Sequence, residues 1–180
     1  MLKILIGVVV VAVTVIGIFL FLDPNVGISQ TGGAETTEVS EEHTISVSID
    51  GEVYKPSTYS LKEDATMADL IDVAGGTTSN ADERAFYETA TLTSGMTYYI
   101  PSKYDVADIC SKEALEKVNI NNDSADKIAT INGVNATVAA SIVTYRTDNG
   151  LFSTIEQLQE VYGIGSATYK KMRNYVILHV

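Results

Sequence analysis

The 180-residue chain contains no tryptophan, one cysteine, two histidines and three prolines. One cysteine cannot form an intramolecular disulfide, and so few cysteines and histidines leave almost nothing for a zinc site. Basic residues are also scarce, because 12 lysines and arginines face 23 acidic residues and give a formal net charge of −11. The length excludes a large catalytic barrel, and the charge argues against binding a polyanion over the whole surface.

The acidic residues are concentrated in the first two thirds of the chain. Residues 23–44 contain five acidic residues and no lysine or arginine, whereas residues 119–180 contain five acidic and five basic residues. Three of those bases, Lys170, Lys171 and Arg173, lie close together. The net charge of the whole chain therefore does not decide what its last third binds.

The chain begins with a long uncharged segment. Ile4 to Leu22 carry no charge, and about 20 apolar helical residues span a bilayer. Bulky residues precede Asp23, so an uncleaved anchor over residues 1–22 is favoured over a cleaved signal peptide or a buried core helix. Because Lys3 precedes the segment and acidic residues follow it, we expect a single-pass membrane protein with a cytoplasmic N-terminus and extracellular C-terminal domains.

Two segments of the chain have the composition of connectors. Residues 23–42 are rich in Gly, Ser, Thr and Glu and predict a flexible acidic linker. Residues 104–117 are a mixed-charge connector that contains Cys110. In an oxidising compartment Cys110 is either a free or intermolecularly paired thiol or an inert, partly buried one, and the second interpretation is favoured.

Residues 43–103 have the pattern of a small domain of strands and one helix. Ile45, Val47 and Ile49 alternate with serines, which indicates a half-buried strand. Asp50-Gly51 predicts a hairpin turn, and further strands are expected at residues 52–55, 59–61 and 96–100. Thr66 and Asp69 predict a capping box for a helix that ends at Gly75-Gly76.

The sequence of this segment resembles the SLBB family of β-grasp domains. The resemblance rests on Gly51 to Pro56, Tyr59 to Leu61, Ala74 to Gly76 and Tyr99 to Pro101. It implies a fold rather than a ligand. Five tyrosines offer either an aromatic sugar-binding surface or, as the favoured interpretation, ordinary core and rim residues: Tyr54, Tyr59, Tyr87, Tyr98 and Tyr99.

The last third contains an internal repeat. Ile131 to Asn135 and Val161 to Gly165 share one pattern around central glycines that stand 30 positions apart, and each lies between helical patterns. A glycine turn before a helix N-terminus lets an anion approach backbone N–H groups. Two such hairpins predict contacts with the phosphates of both strands of a duplex, without sequence specificity.

With Val118 to Asn121, Ile142 to Arg146 and Gly150 to Phe152, the two hairpins resemble the tandem helix-hairpin-helix domain of the competence protein ComEA family. The resemblance implies an α+β chain: a transmembrane helix, an SLBB domain and an all-α DNA-binding domain over residues 118–180. It also implies a receptor that binds double-stranded DNA and passes it to a translocation channel or to pilus components during transformation, with self-association as a further expectation.

Matching by motif assigns DNA contacts to both hairpins and to the helix after the second. The candidate residues are Gly133, Val134, Asn135, Gly163, Ile164, Gly165, Ser166, Lys170, Lys171 and Arg173. We expect the backbone N–H groups of Val134 and Ile164 to act while their side chains pack. Asn135 stands where the family has glycine, so the second hairpin is expected to dominate.

Other interpretations of the C-terminal segment stay open. The hairpins could be purely structural, the three clustered bases could be an ordinary solvated helix end, and Arg146 is more simply a structural charge. In that case the chain is a cell-surface module that binds glycan or protein. We find no catalytic constellation, so we expect neither enzyme activity nor a cofactor or metal.

Overall fold

The computed structural model describes residues 43–104 and 114–180. The predicted anchor, the acidic linker and Cys110 lie outside the described residues. Among the residues that it does describe, no helix is both long enough and apolar enough to cross a membrane. The described residues form a mixed α+β structure.

The middle domain is built on a three-stranded sheet. Its strands are β1 (Thr44–Gly51), β2 (Ser57–Lys62) and β3 (Thr97–Ile100), in the order β2-β1-β3. β1 pairs with β2 in antiparallel and with β3 in parallel orientation. The alternation predicted for β1 is confirmed, since Ile45, Val47 and Ile49 are buried and the residues between them face away from the core.

The predicted hairpin turn at Asp50-Gly51 is wrong. β1 continues through Gly51, and the return strand begins only at Ser57, after Pro56. Gly51 pairs with Ile100, and a Cβ on Gly51 would lie 2.2 Å from the Ile100 carbonyl oxygen. The glycine therefore permits the close approach of β3 to β1, and the strand expected at residues 52–55 does not form.

The middle domain's helix follows its predicted signals. α1 (Met67–Val73) begins with a capping box, in which the backbone N–H and the hydroxyl of Thr66 both donate to Asp69 Oδ2 at 2.7 Å. These hydrogen bonds lower the pKa of Asp69, the backbone one most. Met67 and Leu70 point into the core, and the helix ends just before Gly75-Gly76 as expected.

The C-terminal domain contains three α-helices and a short 3-10 helix, but it is not all-α. The helices are α2 (Ala125–Ile128), α3 (Ala136–Asn149) and α4 (Ser166–Met172), with the 3-10 helix Ile155–Glu160 between α3 and α4. Tyr169, Met172, Val176 and Ile177 stand at helical spacing in the sequence, a pattern that predicts a longer last helix. Instead the last two of these residues form β5 (Val176–Ile177), which pairs in parallel with β4 (Val118–Asn119) and joins the two ends of the domain.

The sequence suggests Asn122 or Asp123 as the cap of α2 and a capping box from Ser153 to Glu156 for the next helix, but both caps lie elsewhere. Ser124, rather than Asn122 or Asp123, caps α2 and accepts a hydrogen bond from the Lys127 N–H. The capping box of the 3-10 helix joins Thr154 to Gln157, one residue later than expected. The shift leaves Glu156 free for a different role, described below.

The two domains are packed directly against each other. Ala85, in the 3-10 helix Glu83–Ala85 of the middle domain, belongs to the apolar core of the C-terminal domain. The backbones of Phe86 and Thr154 form a bridge, and the Leu178 N–H donates to the Arg84 carbonyl at 2.8 Å. The interface therefore uses main-chain pairing as well as side-chain packing.

A buried ion pair reinforces this interface. Asp82 is fully buried and lies 2.9 Å from Arg84 Nε and 3.5 Å from Lys117 Nζ. Burial opposes the charge on Asp82, but the bonds from Arg84 and the charge of Lys117 outweigh it and hold the Asp82 pKa below its usual value. Lys117 also donates to the carbonyls of Ser102 and Asn174, one in each domain.

Candidate nucleic-acid interface

Two hairpins of the same geometry stand 30 positions apart in the C-terminal domain. The first connects α2 to α3, and the second connects the 3-10 helix Ile155–Glu160 to α4. Each turn is closed by a 3.0 Å backbone hydrogen bond, from the N–H of Val134 or Ile164 to the carbonyl three residues earlier. The central glycines have φ of +89° and +90°. The repeat seen in the sequence is thus present in the backbone.

The two hairpins are packed reciprocally. A Cβ on Gly163 would lie 3.1 Å from Val138 Cγ2, at the start of the helix that follows the first hairpin. A Cβ on Gly133 would lie 3.4 Å from Lys171 Cδ, in the helix that follows the second hairpin. Each central glycine therefore faces the helix of the other repeat, and Lys171 is brought against the first hairpin.

The second hairpin presents open hydrogen-bond donors. Gly163, Gly165 and Ser166 are exposed, and within the described part of the chain no acceptor engages their N–H groups. Lys170 and Lys171, one helical turn further along α4, are exposed as well. Backbone donors and flexible cations of this kind suit the oxygens of a phosphate.

The first hairpin differs at the position of Asn135. Asn135 is the N-cap of α3, and its Oδ1 accepts a 2.9 Å hydrogen bond from the Val138 N–H. Gly165, its counterpart, has no side chain to do so. Asn135 has φ of −93°, so its backbone is extended rather than left-handed. The side chain therefore occupies the helix N-terminus and engages the Val138 N–H, and the dominance of the second hairpin stays a prediction.

The apolar hairpin residues act as anchors rather than as donors. Val134 and Ile164 are buried in the core of the C-terminal domain. Their N–H groups, which we expected to meet phosphate, instead donate to the carbonyls of Ile131 and Val161. The donors that remain for a ligand belong to the neighbouring glycines and to the first residue of α4.

Arg173 does not belong to the exposed set. α4 ends at Met172, and the Arg173 guanidinium lies 3.5 Å from the centre of the Tyr99 ring in the middle domain. A cation held over an aromatic face in this way stabilises the domain interface. Arg146 is structural, since its guanidinium donates to the Ile120 and Asp123 carbonyls.

Glu156 is a buried carboxylate that the sequence did not reveal. It is 2% exposed, and its Oε1 accepts from the Tyr99 N–H of β3 at 2.8 Å and from the Tyr169 hydroxyl of α4 at 2.9 Å. Burial raises the pKa of Glu156 even though these donors oppose the shift. The carboxylate therefore joins the middle domain's sheet to the helix that carries Lys170 and Lys171.

The five tyrosines of the middle domain do not form one aromatic surface. Tyr98 is buried, and its hydroxyl accepts from the Thr93 N–H. Tyr87 and Tyr99 face the C-terminal domain, where Tyr87 contacts His179. Tyr54 is exposed and Tyr59 is half-buried. The interpretation of these residues as core and rim positions is the one that the structure supports.

The comparisons with known proteins agree with this architecture. A family model of the SLBB domain matches residues 46–101, and one of the helix-hairpin-helix motif matches residues 113–177. The fold and the paired hairpins thus define a class of proteins in which an SLBB domain precedes a helix-hairpin-helix domain.

Two individual relatives indicate which family within this class the chain belongs to. ComE operon protein 1 of Bacillus subtilis (strain 168) is 31% identical over 153 residues, which cover 79% of this chain and 74% of that protein. An uncharacterized protein of Haemophilus influenzae is 35% identical over 100 residues, or 55% of this chain and 83% of that protein. This chain belongs to the ComEA family.

Proposed function

We propose that this protein is a membrane-anchored extracellular receptor that binds double-stranded DNA without sequence specificity for uptake during natural transformation. The observation that carries the proposal is the reciprocal packing of two hairpins with the same geometry, which places Lys171 against Gly133 and leaves the second hairpin's donors open. Backbone donors and lysines that meet phosphates do not distinguish one base from another.

The remaining parts of the chain have roles in this proposal. Residues 1–22 anchor the protein with its N-terminus in the cytoplasm, and residues 23–42 are the tether. Residues 43–103 and 118–180 are the SLBB and DNA-binding domains, joined by residues 104–117. The similarity to ComE operon protein 1 supports a competence role. We expect no catalytic step, and a translocation channel or pilus component would receive the DNA.

The test is a salt titration of duplex binding by the full chain in detergent micelles. We use the full chain because the C-terminal domain shares Glu156 and Arg173 contacts with the middle domain. Fluorescence anisotropy should give the same affinity for two unrelated duplex sequences, and log Kd should depend linearly on log salt concentration. The double variant Lys170→Gln and Lys171→Gln should reduce the slope by about two, because each lysine–phosphate contact contributes about one.

The matched control is the double variant Lys55→Gln and Lys103→Gln, which makes the same charge change in the middle domain. Its slope should equal that of the wild type. Equal slopes for both double variants would refute the assignment of the lysines. Failure of the full chain to bind duplex even at low salt would refute the proposed function and favour the alternative of a surface module with purely structural hairpins.

A further inference from the structure

Tyr162 is an unexplained aromatic residue at the second hairpin. Its side chain is 84% exposed although it lies between the buried Val161 and the central Gly163. Among the described residues no hydrogen bond or ring contact involves it. Its counterpart in the first hairpin is the polar Asn132. The ring is therefore displayed beside the donors proposed to meet DNA.

Tyr162 lines an open groove of about 410 Å³ together with residues of α3. The residues of α3 that line the groove are mostly small, hydroxyl-bearing or otherwise polar: Thr137, Ala140, Ser141, Thr144, Tyr145, Asp148 and Asn149. The groove thus combines an aromatic face with short polar groups.

The charges around the groove favour a nucleobase over a phosphate as its ligand. None of the residues that line the groove is basic, and one of them, Asp148, is acidic. A phosphate placed there would meet a carboxylate and no cation, whereas Lys170 and Lys171 are outside the groove. A nucleobase is neutral, has a flat face that stacks on tyrosine, and carries edge groups that hydroxyls can bond.

Bases inside an intact duplex are stacked and paired, so their faces cannot reach a tyrosine on the protein surface. A base at a strand end or in a single-stranded overhang is free to stack. We infer that Tyr162 and the adjoining groove of α3 form a subsite for one unpaired base, so that the protein prefers DNA with a single-stranded overhang. The inference rests on the proposed function, since the groove adjoins the duplex-binding hairpin.

The experiment compares two duplexes that carry the same number of phosphates. Both have a five-nucleotide overhang, which in one contains normal bases and in the other abasic sites. Base stacking on an aromatic side chain is worth enough to change Kd by about fivefold or more. We expect the wild-type full chain to bind the duplex with normal overhang bases at least about fivefold more tightly, as a ratio of Kd values measured at one salt concentration.

The Tyr162 variants identify the source of that ratio. Tyr162→Ser should reduce the ratio to about one, while Tyr162→Phe should keep it, because stacking needs the ring and not the hydroxyl. Tyr54→Ser is the matched control, since Tyr54 is 66% exposed in the middle domain, and it should keep the wild-type ratio. Tyr162 is exposed, so its variants are expected to fold.

Three results would overturn the inference. A ratio near one in the wild type would show that overhang bases are not recognised. A ratio that survives in Tyr162→Ser, or that is lost equally in Tyr54→Ser, would remove Tyr162 from the subsite. In all three cases the proposed function would stand, because it requires only that both DNAs bind with the expected salt dependence. Failure of both DNAs to bind at low salt would instead refute the proposed function itself.

Discussion

Replacement of Glu156 by alanine should destabilise the protein strongly, because the carboxylate satisfies two buried donors at the domain interface. The Tyr99 N–H belongs to the backbone of β3 and cannot turn toward water, and the Tyr169 hydroxyl is held within the core. A buried donor without a partner costs about 1–3 kcal/mol, so two of them predict a loss of about 2–6 kcal/mol. This is a large part of the roughly 5–15 kcal/mol that stabilises a typical domain.

The measurement is urea unfolding of the full chain at neutral pH, followed by far-UV circular dichroism because the chain has no tryptophan. Glu160→Ala is the matched control, since Glu160 lies on the same 3-10 helix, is exposed, and accepts a hydrogen bond from Tyr145 at 2.6 Å. Water can replace that contact, so Glu160→Ala should change the free energy of unfolding by no more than about 0.5 kcal/mol. The loss of unfolding free energy for Glu156→Gln should lie between the losses for Glu156→Ala and Glu160→Ala, because the amide keeps one acceptor oxygen.

Two results would refute the role assigned to Glu156. If Glu156→Ala costs less than about 1 kcal/mol, then water or a rearranged neighbour satisfies both donors and the carboxylate does not join the domains. If Glu160→Ala costs as much as Glu156→Ala, the loss comes from the 3-10 helix as a whole. Only a large difference between the two variants supports the proposed bridge between β3 and α4.

Three further predictions follow from the hairpins and from Glu156. Gly163→Ala should weaken duplex binding, and in urea titrations it should lower the free energy of unfolding more than Gly150→Ala does. Both glycines have φ near +90°, but only a Cβ at Gly163 meets a side chain, that of Val138. Asn135→Gly should change stability by only a few tenths of a kcal/mol, about the usual cost of glycine at an N-cap, and should tighten duplex binding in anisotropy by opening the N-terminus of α3. The difference in unfolding free energy between the wild type and Glu156→Gln should favour the wild type most below the ordinary carboxyl pKa of 4.5. This difference should fall as pH rises through the higher pKa of folded Glu156. Urea denaturation at a series of pH values would measure it.

Local signals predicted those elements whose determinants lie close together in the chain. The alternation of Ile45, Val47 and Ile49 identified β1, and the Thr66–Asp69 spacing identified the start of α1. The hairpins were visible because a pattern of five residues occurs twice. In each case the interaction that stabilises the element joins residues only a few positions apart, so the sequence alone contains it.

The misplaced helix caps differ from expectation by only one or two residues, whereas the larger errors concern elements that depend on distant partners. Val176 and Ile177 fit the apolar face of a helix, yet they pair with β4, about 58 positions earlier in the chain. Glu156 fits an exposed capping position, yet its donors include the backbone of Tyr99, 57 positions away. No local pattern identifies such partners, so neither the end of α4 nor the buried carboxylate could have been predicted from the sequence.

The two repeats share a backbone but have diverged in their side chains, and the second repeat combines two tasks. Helical residues are separated by about 100°, so Tyr169 and the C-cap residue Arg173 lie on one side of α4 while Lys170 and Lys171 lie elsewhere. The first pair contacts Glu156 and the middle domain, and the second pair is exposed. The equivalent positions of the first repeat offer neither a cation nor a partner for a buried carboxylate: Ala139, Ala140, Ser141 and Val143. Because one short helix carries both sets, the middle domain holds the lysines in their orientation, and loss of the Glu156 bridge should disturb DNA binding as well as stability.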